Sequence, residues 1–219
     1  MIKAVIYDLD DVIVNSHPLH TKAWNILFSE YGKKISDLDL TMRSGFMGMR
    51  ISDILKIIIK QFNLTADYQN LYKKRQAIFL DLVRSDLTLM PGLIESLDFF
   101  QKNKIKIALG SSGAKDYINL VLAKFNLHNY FTVIITGDDV KLAKPDPEIY
   151  SKTVEKLNLS PNDCVVLEDA QAGVKAAKAA GCKCLAVKNP YTTPPQNLDQ
   201  ANLIVNSLLE INLNILNSL

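Results

Sequence analysis

The sequence lacks any apolar run of membrane-spanning length; its most apolar stretch, ILKIIIK at 54–60, is cut by lysines. It also lacks a block of like charge. Its 25 Lys and Arg against 23 Asp and Glu leave a formal net charge of +2, and the basic residues are scattered through helical stretches, so neither nucleic acid nor an anionic membrane is indicated as a partner. The N-terminus runs straight into an apolar segment without a signal-peptide pattern, and the expectation is a cytoplasmic protein. No internal repeat and no low-complexity segment interrupts the chain. Cysteine is scarce and odd in number, at three. Cys164, Cys182 and Cys184 lie in or beside strand-like runs, and Cys182-x-Cys184, with no further Cys and no His nearby, reads as two core thiols rather than a metal pair.

What is present is an ordinary globular composition: 219 residues, 48% apolar, enough for a sizeable core in one large or two small domains. Ile2 to Tyr7 suits a strand buried on both faces of a parallel sheet. From Pro18 the apolar period becomes helical, carried by Leu19, Ala23, Trp24, Leu27, Phe28 and Tyr31, with Gly32 as a stop. Ile51, Ile54, Leu55, Ile58, Ile59 and Phe62 predict an amphipathic helix over 50–62, and a third helix is expected from Thr65 to Val83. Residues 15–85 therefore read as an all-helical insertion. After LMPG, helices expected at 93–102, 115–125, 147–157 and 170–180 alternate with the strand-like IKIALG, TVIITG, CVVLED and CKCLAV. Single helices between strands imply an α/β fold with a doubly wound parallel sheet. The expected division is a core of 1–14 and 86–219 and a helical unit of 15–85, with a short terminal helix covering part of the core.

Polar residues cluster just past the carboxyl end of each strand: Asp8, Asp10 and Asp11 after the first, GSSG after the second, GDDVKLAKP after the third, and LED at the fourth. In open α/β sheets ligands bind outside those ends. On the first stretch alone two readings stand, an acidic turn fanned into water or carboxylates converging on a hard cation; the four clusters together favour a site. Asp8 with Asp169, helped by Glu168, can hold Mg2+, while the Ser111 hydroxyl and Lys144 ammonium are left for an anion, which together suit a phosphoryl group. No His or Cys stands in these clusters as nucleophile, but a carboxylate does. Asp10, from the same loop, is placed to protonate a leaving oxygen and then activate water.

DLD after the first strand, Ser after the second, KPDP opening a helix and LED after a later strand resemble the four motifs of the haloacid dehalogenase (HAD) superfamily. The helical insertion after the first motif is similar to the cap of its β-phosphoglucomutase and phosphoglycolate phosphatase branch. The resemblance spans nearly the whole chain. It implies a Rossmann-like core with a helical cap and a magnesium-dependent phosphotransferase. Asp8 would be nucleophile and metal ligand, and Asp10 acid/base with its carbonyl on the metal. Asp169 would be a ligand, Glu168 in or near the metal shell, and Ser111 and Lys144 the phosphate grip. The chain departs from the pattern at Asp11, where Gly is usual, and at Asn15, where Asp is usual. Asp tolerates unusual backbone angles, so the loop is expected to form, with an extra charge bearing on metal affinity.

In the insertion, Arg75 shares a helical stripe with Leu71, Tyr72, Ile78, Phe79 and Leu82, so it either snorkels to the rim or reaches a phosphate or sugar hydroxyl. Arg50 either starts a helix in solvent or meets a distal phosphate; matching positions in the mutases are basic and face the active site. His20 opens the first insertion helix in PLHTKAW, a stretch that resembles mutases and sugar phosphatases. His17 and His128 read as surface or core residues. Gly113 and Lys115 stand where the mutases carry sugar-contacting groups, with Lys115 read as the first-turn lysine of an exposed helix. The leading expectation is a monomeric phosphatase acting on a small phosphorylated metabolite such as a sugar phosphate. The alternative is a β-phosphoglucomutase-type phosphomutase. A non-catalytic receiver-like module fits less well, because its Lys-Pro follows a phosphorylated Asp on a middle strand.

Overall fold

Strand β1 (Ala4–Tyr7) is buried along its whole length, as its continuous apolar run requires of a strand covered on both faces. Val5 and Tyr7 enter one hydrophobic core and Ala4 and Ile6 another, the two-residue period of a strand dividing the chain between two layers. The computed structural model describes residues 1–192 and 195–219. β2 (Lys106–Gly110), β3 (Val133–Ile135), β4 (Cys164–Glu168), β5 (Lys183–Val187) and β6 (Leu203–Val205) join β1 in a parallel sheet of order β3-β2-β1-β4-β5-β6.

α1 (His17–Ser29), α2 (Leu40–Gly45), α3 (Ile51–Gln61) and α4 (Tyr68–Asp86) lie between β1 and β2, followed by α5 (Leu93–Lys102). α6 (Lys115–Lys124) follows β2, α7 (Glu148–Leu157) follows β3, α8 (Gln171–Ala179) follows β4, and α9 (Leu213–Asn217) ends the chain. α5 and α6 cover one face of the sheet through Leu97, Phe100, Ile118 and Val121. α7 and α8 cover the other through Ile149, Val154, Val174 and Ala177. This is the doubly wound α/β arrangement that alternating strands and helices imply. α1, α3 and α4 share a third core of their own, in which Trp24, Phe28, Ile54, Leu55, Ile58 and Leu71 meet. α3 buries Ile54, Leu55 and Ile58, the stripe its period prescribes. Among the described residues no helix is long and apolar enough to cross a membrane.

Several element bounds differ from expectation for local reasons. α4 begins three residues late and runs to Asp86, because the Asp67 carboxylate accepts the Asn70 N–H and caps the start. β3 is shorter than TVIITG, since Thr136 caps a 3-10 turn over Gly137–Asp139. α2 and β6 are additions to the predicted set. α2 buries no residue and β6 is three residues long, so neither presents enough apolar period to read. All three cysteines are free and buried, and burial pushes the Cys164 thiol up to about 11 and the Cys182 thiol to about 12. They are core thiols.

Candidate active site

The strand order reverses at β1: β2 lies on one side and β4 on the other, which opens a crevice beyond their carboxyl ends. Register fills that crevice. Tyr7 pairs with Leu109 of β2 and Leu167 of β4, so the residues just beyond, Asp8, Ser111, Glu168 and Asp169, converge. Asp8 N–H donates to Leu167 O at 3.0 Å and Ser111 N–H to Ile135 O at 3.1 Å, fixing both backbones. Lys144 enters from the loop between β3 and α7.

The acidic stretch after β1 is a turn rather than a fan of charges in water. Leu9, Val12, Ile13 and Val14 point into the core with no exposure, while the intervening Asp8, Asp10 and Asp11 line a cavity. The turn is held by Ile13 and Val14 N–H bonds to Leu9 O and by Asp11 N–H to Val14 O. Asp11 takes φ of 63°, the left-handed region where Asp is better tolerated than most residues. Its Oδ1 accepts the N–H groups of Ser16 and His17 at 3.1 and 3.0 Å, donors that α1 leaves free at its start. Burial, with Asp10 beside it, pushes the Asp11 carboxyl up to about 7.

Lys144, 4% exposed, donates to Asp8 Oδ1 and Glu168 Oε1, both at 2.7 Å. The Tyr150 hydroxyl also donates to Glu168 Oε1 at 2.7 Å, and its ring lies 4.8 Å from Lys144 Nζ. Glu168 Oε2 accepts the N–H groups of Asp169 and Ala170. Both Glu168 oxygens are thus engaged, and its carboxylate ties the turn after β4 to the lysine. Gly173 of α8 makes room for it, since a Cβ there would overlap that carboxylate. Ser111 Oγ accepts the Gly113 N–H at 3.1 Å and faces the same cavity.

Asp8, Glu168 and Asp169 each offer an oxygen within 4.8 Å of the others. One ammonium serves three buried carboxylates. Burial first, then Glu168 and Asp10, lift the Asp8 carboxyl to about 8 against the pull of Lys144. Burial and the neighbouring carboxylates Asp11, Glu168 and Asp8 raise Asp169 well above its usual range. A buried oxygen cluster short of positive charge fits a hard divalent cation.

On the cavity's far side the helical insertion supplies the groups. Asp10 Oδ1 accepts from the Tyr117 hydroxyl at 2.6 Å and lies 3.7 Å from His20 Nε2. His20 stacks on Phe79 at 4.1 Å, and its Nδ1 accepts from Arg75, which leaves Nε2 to carry the proton towards Asp10. Burial holds the His20 pKa below its usual value.

Arg75 does not snorkel. It is 0% exposed, its guanidinium 4.6 Å from both the Trp24 and Phe79 rings and bonded to His20 and Gln76, because flat aromatic faces and a ring nitrogen accommodate guanidinium better than the rim. Arg50 is likewise no solvated helix start: it donates to the carbonyls of Gly137, Val140 and Lys141, bridging the insertion to the loop after β3. His17, read from sequence as a surface or core residue, lines the cavity, and burial, with His20 and Arg43 nearby, lowers its pKa to about 4. Lys115 is exposed at the start of α6, as read.

Sequence reasoning missed Tyr117, Tyr150, Gly173 and Arg43. Only Gly173, an isolated glycine inside a helical pattern, carried a local signal.

The model of the haloacid dehalogenase-like hydrolases matches residues 5–187. The chain belongs to this family. It is a phosphoric monoester hydrolase or phosphomutase of that family. The chain is 35% identical over 183 residues to a phosphorylated carbohydrates phosphatase of Thermotoga maritima, covering 82% of each chain. It is 29% identical over 220 residues to validoxylamine A 7'-phosphate phosphatase of Streptomyces hygroscopicus subsp. limoneus, covering 96% of each. Its structure is similar to a β-phosphoglucomutase from Clostridium difficile, with a TM-score of 0.83 and 28% identity, over 99% of this chain and 96% of that one.

Proposed function

We propose that this chain is a magnesium-dependent phosphatase acting on a small phosphorylated sugar or polyol through an aspartyl-phosphate intermediate. The supporting observation is the convergence of Asp8, Ser111, Lys144 and Asp169 at the β1/β4 crevice. Lys144 holds Asp8 Oδ1, which leaves Oδ2 as the oxygen that would attack the phosphoryl group. Asp8 attacks phosphorus as a carboxylate and the P–O bond to the leaving group breaks. Asp10, whose carboxyl is held, against the effect of burial, below its usual range by the His20 and Tyr117 side chains, must take up a proton as substrate binds in order to give it to the departing oxygen. Asp10 then takes a proton from water as that water attacks the phosphoaspartate, which frees inorganic phosphate and restores both carboxyls. Ser111 and Lys144 orient the phosphoryl oxygens. Asp8 and Asp169, with the Asp10 carbonyl and Glu168 alongside, would hold Mg2+, which when bound offsets the charge of phosphate and carboxylates.

Residues 15–85 form the cap in this reading, with 1–14 and 86–219 as the core, and His20, Arg50 and Arg75 belong to the cap's side of the cavity. The protein works as a cytoplasmic monomer. The test is magnesium-dependent phosphate release from a panel of phosphorylated metabolites. Absence of release from every member removes the proposal. A second reading, a β-phosphoglucomutase-type phosphomutase, has the likeness to the Clostridium difficile enzyme in its favour. Interconversion of β-glucose 1-phosphate and glucose 6-phosphate with a bisphosphate primer, far faster than phosphate release, would replace the first reading with the second.

A further inference from the structure

All four arginines of the chain, Arg43, Arg50, Arg75 and Arg84, lie between positions 43 and 84. Three have partners. Arg84 pairs with Asp81 at 2.7 Å outside the cavity, Arg75 is bonded to His20 and Gln76, and Arg50 is spent on three backbone carbonyls. Arg43, in the last turn of α2, lines the cavity, and among the described residues its side chain makes no hydrogen bond or ion pair. Its Nε is buried with no acceptor, as are those of Arg50 and Arg75, but Arg50 and Arg75 have partners at their terminal nitrogens. The charge of Arg43 is felt by His17, which burial and nearby positive charge keep neutral, and among the described residues none of the carboxylates that line the cavity forms an ion pair with it.

A guanidinium facing a cavity without an acceptor is an incomplete contact, since its donor fork matches the two oxygens of a carboxylate or phosphate. The cavity, about 340 Å3, exceeds what one phosphoryl group at Ser111 and Lys144 fills, and leaves room for a leaving group of sugar size. Arg50, the residue expected from sequence to meet a distal phosphate, has its terminal nitrogens taken by the core. We infer that Arg43 receives a second oxyanion, a carboxylate or a second phosphate, carried on the leaving group of the substrate. The inference rests on the phosphatase reading and names its substrate class: an acidic phosphate ester or a bisphosphate rather than a neutral sugar phosphate.

Matched substrates test this. With the full chain and magnesium, kcat/KM is measured for 6-phosphogluconate against glucose 6-phosphate, which differ by one carboxylate, and for fructose 1,6-bisphosphate against fructose 6-phosphate, which differ by one phosphate. In Arg43→Gln the acidic-to-neutral ratio of at least one pair is expected to fall about tenfold or more, the loss of a charge-assisted contact. Arg43→Glu deepens the fall and Arg43→Lys restores part of it, with thermal unfolding confirming that each variant is folded. The pair that responds identifies carboxylate or phosphate. If the ratios of both pairs stay near their wild-type values in Arg43→Gln and Arg43→Glu, the inference is overturned while the phosphatase reading stands. If the wild-type protein releases phosphate from none of the four, this inference falls, and the phosphatase reading is decided by the wider panel.

Discussion

The floor and the roof of the cavity are built on different principles. On the floor, Asp8, Ser111, Glu168 and Asp169 follow strands whose register is fixed by backbone hydrogen bonds, and Lys144 is held between two carboxylates at 2.7 Å. On the roof, Arg43, Arg75 and His20 come from helices and Arg50 from the residue before α3, and the positions of His20, Arg50 and Arg75 depend on side-chain contacts: aromatic stacking, a ring nitrogen, borrowed carbonyls. Register is the stiffer constraint, because the backbone carries it. The floor therefore suits steps common to every substrate, and the roof suits discrimination between them.

The strongest test of that contrast is Asp8→Asn, expected to lower phosphate release by about a thousandfold or more for all substrates alike; a loss confined to some substrates would erase the distinction. Next is Lys144→Ala, which leaves Asp8 and Glu168 buried without their cation and should cost about 3 kcal/mol of stability by urea unfolding without metal, with magnesium restoring part of it.

Gly173→Ala forces a methyl into the Glu168 carboxylate, at about 2 kcal/mol of overpacking and with reduced turnover. Unchanged activity and stability in that variant would show that the Glu168 position is not fixed from α8.

The pH dependence of stability follows from the same floor. Asp8 and Asp11 have folded pKa values of about 8 and about 7, above the usual carboxylate range of about 4. Between roughly pH 6.5 and 8 the native state therefore holds protons that the unfolded chain has released, and stability falls as pH rises. His17, lowered to about 4, acts in the opposite direction but only below its ordinary value near 6.5. In metal-free protein the unfolding midpoint should thus drop across that window, and magnesium should flatten the slope. The smallest effect belongs to the roof: Arg50→Ala releases three carbonyls and should raise KM by about fivefold or less with kcat little changed, measured on one good substrate.

The fold was largely legible because its signals are local. The apolar run at Ile2 to Tyr7, the stripe at Ile51 to Phe62 and the alternation after residue 90 each state a period. Asp8, Asp10, Ser111, Lys144, Glu168 and Asp169 were legible because polar residues at strand ends stand out against apolar strands. Tyr117 and Tyr150 were not, since each sits on the buried stripe of its helix and only its hydroxyl reaches the carboxylates, donating to Asp10 and Glu168. Arg43 was equally silent, on a six-residue helix with no buried face.

By itself the sequence determined the parallel sheet covered by helices on both faces, the helical insertion and which carboxylates end the strands, because hydrophobic period and strand-end chemistry act over a few residues. Only the tertiary structure decided that Glu168 is fully engaged, that Arg75 is buried between two rings, that Arg50 is taken by carbonyls and that Arg43 has no partner among the described residues. Those facts depend on which groups meet across distant parts of the chain, and a guanidinium's partner is a property of the packed cavity rather than of its neighbours in sequence.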